Sequence, residues 1–280
     1  ASSHIAMNAG CQNAIGLDMG GTSTDVSLVY EGEARMTREW AVDFGYPICF
    51  PSVEVLTIGA GGGSLAWIDD AGSLRNGPQS AGAAPGPACY ARGNEIPTNT
   101  DANLVLGRLA PQLLDGAMQL EVGRARAAIE QHIATPLGMS VEAAAFAIIS
   151  VANANMADAV RRISIRRGYD PREFALVVFG GAGPLHGVAL AQDLDIPELI
   201  VPPNPGITSA LGCLLVDLRQ DLSTSYFMPF DDLNIPDLEA AFSQLEEEAL
   251  QHLSEEGADP KDIELQRSMD MRYVGQWRSL

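Results

Sequence analysis

Lysine is almost absent from this chain: Lys261 is the only one in 280 residues. A P-loop needs a Lys after its glycines to hold phosphate oxygens, so that class of nucleotide site is excluded. Basic surface is scarce as well. Seventeen Lys and Arg stand against 36 Asp and Glu, for a formal charge of −19. Such a surface repels nucleic acid and anionic membranes, so neither is expected as a partner. Cysteine is sparse and scattered. Cys11, Cys49, Cys89 and Cys213 form no CxxC pair, and the four histidines are equally dispersed. A clustered zinc site is therefore not expected, and reduced thiols in a cytoplasmic setting are the simplest reading. No apolar run approaches the roughly 18 residues of a membrane span. The opening "ASSHIAMNAG" has neither the basic start nor the apolar stretch of a secretory signal. The first residue is not Met, which suggests a processed or truncated piece.

What is present is a globular composition, 46% hydrophobic, and enough chain for a sizeable core. Residues 1–10 suit a helix closed by Gly10. Ala14–Met19 and Asp25–Tyr30 read as strands, with a third expected near Ala34–Val42. Residues 43–100 are rich in Gly and Pro, and short strands joined by ordered turns are expected there. Helices follow: a short one capped by Asp101 and running to Leu109, one over Glu121–Leu137, and a long one begun at Ser140 and stopped by Gly168 and Pro171. The pairs Arg161/Arg162 and Arg166/Arg167 suit the negative end of that helix. An α/β alternation comes next. Phe174–Phe179 and Glu198–Val201 read as strands, each followed by a Gly- or Pro-marked turn and a helix, the second over Pro205–Leu218. That order implies neighbouring parallel strands. From Asp231 an amphipathic helix with an acidic face is expected, then a strand after Pro260 that stops mid-pattern.

Two stretches carry candidate chemistry. In "IGLDMGGTSTDVSL", Gly20 and Gly21 allow close backbone approach to a ligand, and Thr22, Ser23 and Thr24 add hydroxyls. Asp18 and Asp25 flank them, and either carboxylate can hold a hydrated Mg²⁺ against phosphate oxygens. The plain alternative is a Gly-rich hairpin with Asx and Ser/Thr turns. In "VVFGGAGPLHG", a buried strand runs into Gly180, Gly181 and Gly183 and then into a helix, where free N–H groups favour an anion. Tight packing is the alternative, because the GxGxxG pattern is not met. "GAGGG", Gly59–Gly63, is either a second anion nest or a tight loop. His186 is either an acid/base or a structural residue on a first helical turn. Asp101 is a helix cap or a catalytic carboxylate. Cys89 in "GPACY" is a nucleophile or a small core residue. Ser64 falls short of a GxSxG elbow and is no hydrolase serine.

A DxGGT hairpin, then helices, then a strand–GG–helix element resembles the actin, sugar-kinase and heat-shock chaperone superfamily. The resemblance implies an α/β fold, an actin-like ATPase (ribonuclease H-like) lobe with a mixed sheet flanked by helices. More narrowly, "IGLDMGGTSTDVSLV", "TIGAGGGSLAWID", "GPQSAGAAPGPACYARG", "PTNTDANLVLGRL", "FGGAGPLHG", "PGITSALGCLLVDLRQD" and "DMRYVGQ" are similar to the hydantoinase A / 5-oxoprolinase family. Its members include 5-oxoprolinase, N-methylhydantoinase and the related subunits of acetone and acetophenone carboxylases.

That resemblance implies ATP-driven chemistry on an inert carbonyl, with ATP and Mg²⁺ as cofactors. The substrate would be a small cyclic amide opened through a phosphorylated carbonyl, and a hydantoinase B-type subunit or domain is an implied partner. The carboxylases stand as the alternative within the family, and a nucleotide-switched non-enzyme as the alternative outside it. Carried onto this sequence, Asp18 would hold Mg²⁺. Gly20, Gly21, Thr22 and Thr24 would grip phosphate oxygens. Asp25 would support the metal or a water, and His186 would serve as acid/base. Gly180, Gly181 and Gly183 would line the adenosine side. The expected division is an ATPase lobe over residues 1–224 and the start of another domain over 225–280. Because the adenosine-type turn follows the hairpin, the lobe reads as the second of two, with the first upstream of Ala1. The chain alone is then expected to hydrolyse little ATP.

Overall fold

The computed structural model describes residues 1–37, 40–42, 46–48, 52–113 and 116–276. Two compact units emerge, Ala1–Leu215 and Val216–Leu280, dividing upstream of the boundary placed at 224/225 by composition.

In the first unit, alternating apolar residues build β1 (Ala14–Met19) and β2 (Thr24–Tyr30), joined by the Gly-rich turn. The short β3 (Glu33–Ala34) and β4 (Val55–Ile58) both pair with the outer edge of β2. Two further strands, β5 (Ser64–Ile68) and β6 (Leu74–Ser80), form a separate hairpin. The fully buried β7 (Ala175–Phe179) and the short β8 (Glu198–Ile200) complete the main sheet. Its order is β8-β7-β1-β2-β3, with β4 beside β3 on β2. β7 runs parallel to both β1 and β8, while β1 and β2 are antiparallel. This is a mixed α/β sheet flanked by helices, the fold of an actin-like ATPase lobe. The third strand expected near Ala34–Val42 is broken, and residues 38–39 of it lie outside the described residues, as does Cys49.

Helix α1 (Ser2–Asn8) covers one face of the sheet, where Ala6 packs on Ala14, Val29, Val177 and Phe179. The helix sits so close that a Cβ on Gly16 would lie 2.6 Å from Ser27 Oγ and nearer still to Ser2 Oγ; only glycine fits there. Two helices precede the long one, α2 (Asn99–Val105) and α3 (Val122–Ile129). The long helix is α4 (Val141–Ile163), whose Ser140 hydroxyl accepts the Ala143 amide at 3.2 Å as an N-cap. Its C-terminal half, Met156, Ala157, Val160 and Ile163, packs on the other sheet face against Ile15, Leu17, Val26 and Leu176. Its N-terminal half, Ala144, Ala145, Ile148 and Ile149, joins a second core with Ala102, Ile129 and Ile133. One helix therefore ties the sheet to the α2–α3 block. By length and composition α4 is apolar enough to cross a membrane, against the expectation from sequence, but half of that apolar window is buried in the fold. Helices α5 (Gly187–Asp193) and α6 (Thr208–Leu214) follow β7 and β8. The second is shorter than the expected Pro205–Leu218, because Pro205–Ile207 forms a 3-10 turn before it.

The second unit is built on α7 (Ile235–Glu255). Arg267 bridges Glu239 and Glu246 at 2.8 and 2.6 Å and lies over the Phe242 ring. The strand expected after Pro260 is not formed among the described residues 263–276. Its pattern is extended, yet no neighbouring strand takes up its amides and carbonyls, and an unpaired strand is not stable in water.

Candidate functional site

The β1–β2 turn lies at the carboxyl end of β1, beside the carboxyl end of β7. Ligands of open α/β sheets bind at that end of the strands. Register places Asp18 directly opposite Asp25 across the hairpin, and Asp25 opposite Thr57 on β4. Directly opposed residues share a face, and like charges in that arrangement repel. Both carboxylates are half-buried. Each receives one hydroxyl: Thr57 Oγ1 donates to Asp25 Oδ1 at 2.6 Å, and Ser209 Oγ of α6 donates to Asp18 Oδ2.

Gly21 and Thr22 form the exposed tip. Gly20 closes the turn by donating to the Ser23 carbonyl at 3.0 Å, while the amides of Gly21, Thr22 and Ser23 donate to no backbone carbonyl among the described residues. They are available to a ligand. Thr24 is not. It is fully buried, and its hydroxyl donates to the Ala60 carbonyl and lies 3.6 Å from Met156 Sδ. This corrects its expected role as a phosphate ligand: Thr24 begins β2, so its side chain takes the face opposite to Asp25.

The GG turn reaches the same place. Gly180 has φ +82°, and a Cβ there would fall 2.5 Å from Asp18 Oδ1 and closer to the Met19 carbonyl. Its amide donates to the Pro205 carbonyl at 2.8 Å, and Ala182 donates to the Met19 carbonyl at 2.9 Å. Hairpin, GG turn and the entry to α6 are thus bonded together around Asp18. Gly181 is exposed, whereas Gly183 is buried, and a Cβ there would be in ordinary contact with Leu17 and Met19 of β1.

"GAGGG" is not an anion nest. Gly62 and Gly63 donate to the carbonyls of Gly20 and Gly21 at 3.0 and 2.6 Å, Ala60 donates to Ile58, and Gly61 donates to Ser64 Oγ at 2.8 Å. These amides are spent on the chain itself. The loop clamps the hairpin, backbone on backbone, which is why it must be glycine. The start of α2 holds the clamp in turn. Asn99 Nδ2 donates to the Gly61 carbonyl at 2.8 Å, and the Thr100 amide and hydroxyl donate to the Gly62 carbonyl at 2.8 and 2.9 Å.

Asp101 completes this support. The cap of α2 is Thr98, and Asp101 is its reciprocal partner in a capping box. Fully buried, Asp101 accepts from the Ala88, Cys89 and Thr98 amides at 3.1, 2.7 and 2.9 Å and from the Thr98 hydroxyl at 2.8 Å. It is a structural carboxylate. Burial, with the Asp101 charge beside it, pushes the Cys89 thiol far up, so Cys89 is no nucleophile.

His186 is also drawn into the interior, against its expected role as acid/base. It is 1% exposed, and its Nδ1 lies 2.6 Å from Asn153 Oδ1, while Nε2 is buried without a partner. Burial first, and the Arg108 charge second, lower its pKa to about 4. Sequence reasoning passed over Ser209, Thr57, Asn99 and Thr100. All four lie in motifs noted for resemblance, but nothing local marks them as facing the hairpin.

Two carboxylates and neighbouring hydroxyls make an all-oxygen donor set. It fits Mg²⁺, which takes one or two carboxylates and completes its shell with phosphate oxygens and water. Among the described residues no group of three or more His, Cys, Asp or Glu could hold a metal by itself. Amides at the tip that meet no backbone carbonyl among the described residues fit phosphate oxygens. A surface cleft of about 510 Å³ is lined by Arg161, Tyr169, Arg172 and Asp193 and lies toward the amino ends of β7 and β8, away from these groups.

Comparison with known proteins bears on family and fold. Residues 1–222 match the hydantoinase/oxoprolinase family model. The chain is 43% identical over 277 residues to the caprolactamase subunit alpha of Pseudomonas jessenii, covering 97% of this chain and 40% of that one. The crystal structure of ATP-dependent caprolactamase from Pseudomonas jessenii superposes with a TM-score of 0.83 at 41% identity, over 99% of this chain and 40% of that one. The nucleotide-free structure of acetone carboxylase, from work on ATP-dependent acetone carboxylation, gives 0.79 at 31% identity, again over 99% and 40%. The chain thus spans about two-fifths of the length of these relatives.

Proposed function

The chain belongs to the hydantoinase/oxoprolinase family, and from that premise we propose that residues 1–224 are an actin-like ATPase lobe of an enzyme that opens cyclic amides, hydantoins or 5-oxoproline among them, at the expense of ATP. The observation that carries this reading is the opposed pair Asp18 and Asp25 beneath a hairpin tip whose amides meet no backbone carbonyl among the described residues. A relative titled as an ATP-dependent caprolactamase, which acts on a cyclic amide by its name, supports the substrate class.

A five-membered lactam is a poor electrophile. Bound ATP would supply a phosphoryl group to the amide oxygen and so activate its carbon toward water; the ring C–N bond would then break with the nitrogen leaving as the amine, a second water would release the phosphate, and Mg²⁺ would offset the charge. The residues of this chain position and neutralise, which is most of the work in phosphoryl transfer. Asp18 and Asp25 hold the cation, and Asp25 can also orient a water. The amides of Gly21 and Thr22 and the Thr22 hydroxyl donate to phosphate oxygens, and Gly20 lets the chain come close. Gly181, exposed and with no atom near a Cβ position, leaves room for the adenosine side, while Gly180 makes room for Asp18. Thr24 is buried beneath the hairpin with its hydroxyl on the Ala60 carbonyl, and His186 is buried against Asn153. A partner subunit of the hydantoinase B type belongs to the same proposal, since the matched caprolactamase chain is named as one subunit of its enzyme.

The acetone carboxylase neighbour favours a second reading, an ATP-using carboxylase subunit. One experiment separates the two. ATP-dependent phosphate release is measured with the intact parent protein, with and without its partner, against 5-oxoproline, N-methylhydantoin, caprolactam, and acetone plus bicarbonate. Stimulation by a ring compound is the expected result. Stimulation only by ketone and bicarbonate moves the protein to the carboxylases.

A further inference from the structure

Two exposed hydroxyls, Ser209 on α6 and Thr57 on β4, could both be satisfied by water. Instead each donates to one site carboxylate. Ser209 takes Asp18 Oδ2 and Thr57 takes Asp25 Oδ1. The division leaves one oxygen of each carboxylate, Asp18 Oδ1 and Asp25 Oδ2, with no hydroxyl donor among the described residues. Asp18 Oδ1 leans over Gly180, where any side chain would strike it. The register sets Thr57, Asp25, Asp18 and Phe179 in one row across four strands. Ser209 closes the row from a helix whose entry also receives the Gly180 amide at Pro205.

We propose that Ser209 and Thr57 are positioning residues: they hold Asp18 and Asp25 in the rotamers that receive a magnesium–nucleotide complex. This rests on the reading of the hairpin as a Mg²⁺–phosphate site and extends it to groups outside the hairpin. The physical reason is repulsion. Two opposed carboxylates turn away from each other unless something fixes them. One hydroxyl donor on each fixes the plane of the group and leaves the other oxygen for the cation. Groups that orient metal-binding carboxylates typically cost about 10- to 100-fold in metal affinity when removed.

The test measures cation binding rather than turnover. Mn²⁺, as a surrogate for Mg²⁺, is titrated into the intact parent protein saturated with a non-hydrolysable ATP analogue. Free Mn²⁺ is read by electron paramagnetic resonance, and nucleotide affinity without cation is read by calorimetry. Ser209→Ala and Thr57→Ala should each weaken Mn²⁺ binding by about tenfold or more and leave cation-free nucleotide affinity unchanged. Thr57→Ser keeps the hydroxyl and should stay near wild type. Ser150→Ala, which removes only a hydroxyl bonded to its own helix at Phe146, should change neither. The proposal is overturned if both alanine variants hold Mn²⁺ about as well as wild type. It is also overturned if cation-free nucleotide affinity falls by the same factor, since that marks a merely structural role. The two residues sit on different elements, so misfolding of one variant leaves the other to decide. Nucleotide binding by the wild type with no dependence on the cation would instead overturn the underlying Mg²⁺ reading.

Discussion

Gly61→Ala tests the clamp that the "GAGGG" loop places on the β1–β2 hairpin. Gly61 does not have a positive φ, so alanine suits the local backbone and any effect comes from space alone. A Cβ at this position would lie 2.5 Å from the Thr22 carbonyl carbon and amide nitrogen and 2.6 Å from the Gly21 carbonyl carbon. Non-bonded carbons settle at about 3.5–4.0 Å. Every obstructing atom is backbone, so no side chain can swing aside. Loop and hairpin must part by about 1 Å, which stretches the bonds from Gly62 and Gly63 to Gly20 and Gly21, now 3.0 and 2.6 Å, past the limit of about 3.5 Å. Overpacking of this kind costs about 1–3 kcal/mol, a loss the fold can survive. Function should suffer more, because about 1 Å of misplacement at a reacting centre can cost on the order of 10²-fold in rate. The assay is kcat/KM for ATP-dependent turnover in the intact protein, with denaturant unfolding alongside. Gly123→Ala is the control. It meets no atom within 4 Å, lies in α3, and should be neutral or stabilising by up to about 1 kcal/mol. A folded Gly61→Ala enzyme with turnover near wild type would refute the argument that this loop sets the hairpin position.

Two further outcomes follow from the buried polar groups. Asp101→Ala leaves the Ala88, Cys89 and Thr98 amides without their acceptor, and at roughly 1–3 kcal/mol for each unsatisfied buried group the loss should reach about 4 kcal/mol; urea unfolding of the intact protein should show a large drop in midpoint. His186 has its folded pKa lowered from 6.5 to about 4 by burial. The unfolded state therefore takes up a proton first as pH falls, and the stability present above pH 6.5 is lost progressively down to about pH 4, about 3 kcal/mol in all. The pH dependence of unfolding over that window should flatten in His186→Gln, and an unchanged profile in that variant would dismiss the assignment.

How far the site could be read from sequence depended on one residue of strand boundary. The pattern marks "IGLDMGGTSTDVSL" as two strands around a polar turn, and the structure agrees; Asp18 and Asp25 face each other because the turn length fixes the register. Reading the second strand from Asp25 leaves Thr24 in the loop, free to meet a phosphate. The strand begins at Thr24 instead, and side-chain alternation then sends Thr24 into the core while Asp25 stays on the ligand face. The glycines were similarly half-legible. Composition says that backbone comes close to something at Gly59–Gly63, but a nest for an anion and a clamp on the chain's own carbonyls use the same residues. Only the partner of each N–H separates them. Asp101 shows the reverse case. A carboxylate two residues past the N1 position of a helix in a Gly- and Pro-rich setting looks catalytic or capping with equal ease, and its four donors come from two segments brought together only by the fold. Ser209 was the least visible of all. It stands 191 residues from Asp18, on a short helix with no pattern of its own, and its importance follows solely from the close approach of the α6 entry to the Gly180 turn. The residues proposed to meet a ligand announce themselves by type and spacing. The residues that aim them do not, because their partner is set by tertiary packing, and mutagenesis guided by motif alone would miss Ser209 and Thr57 while spending effort on Thr24 and His186.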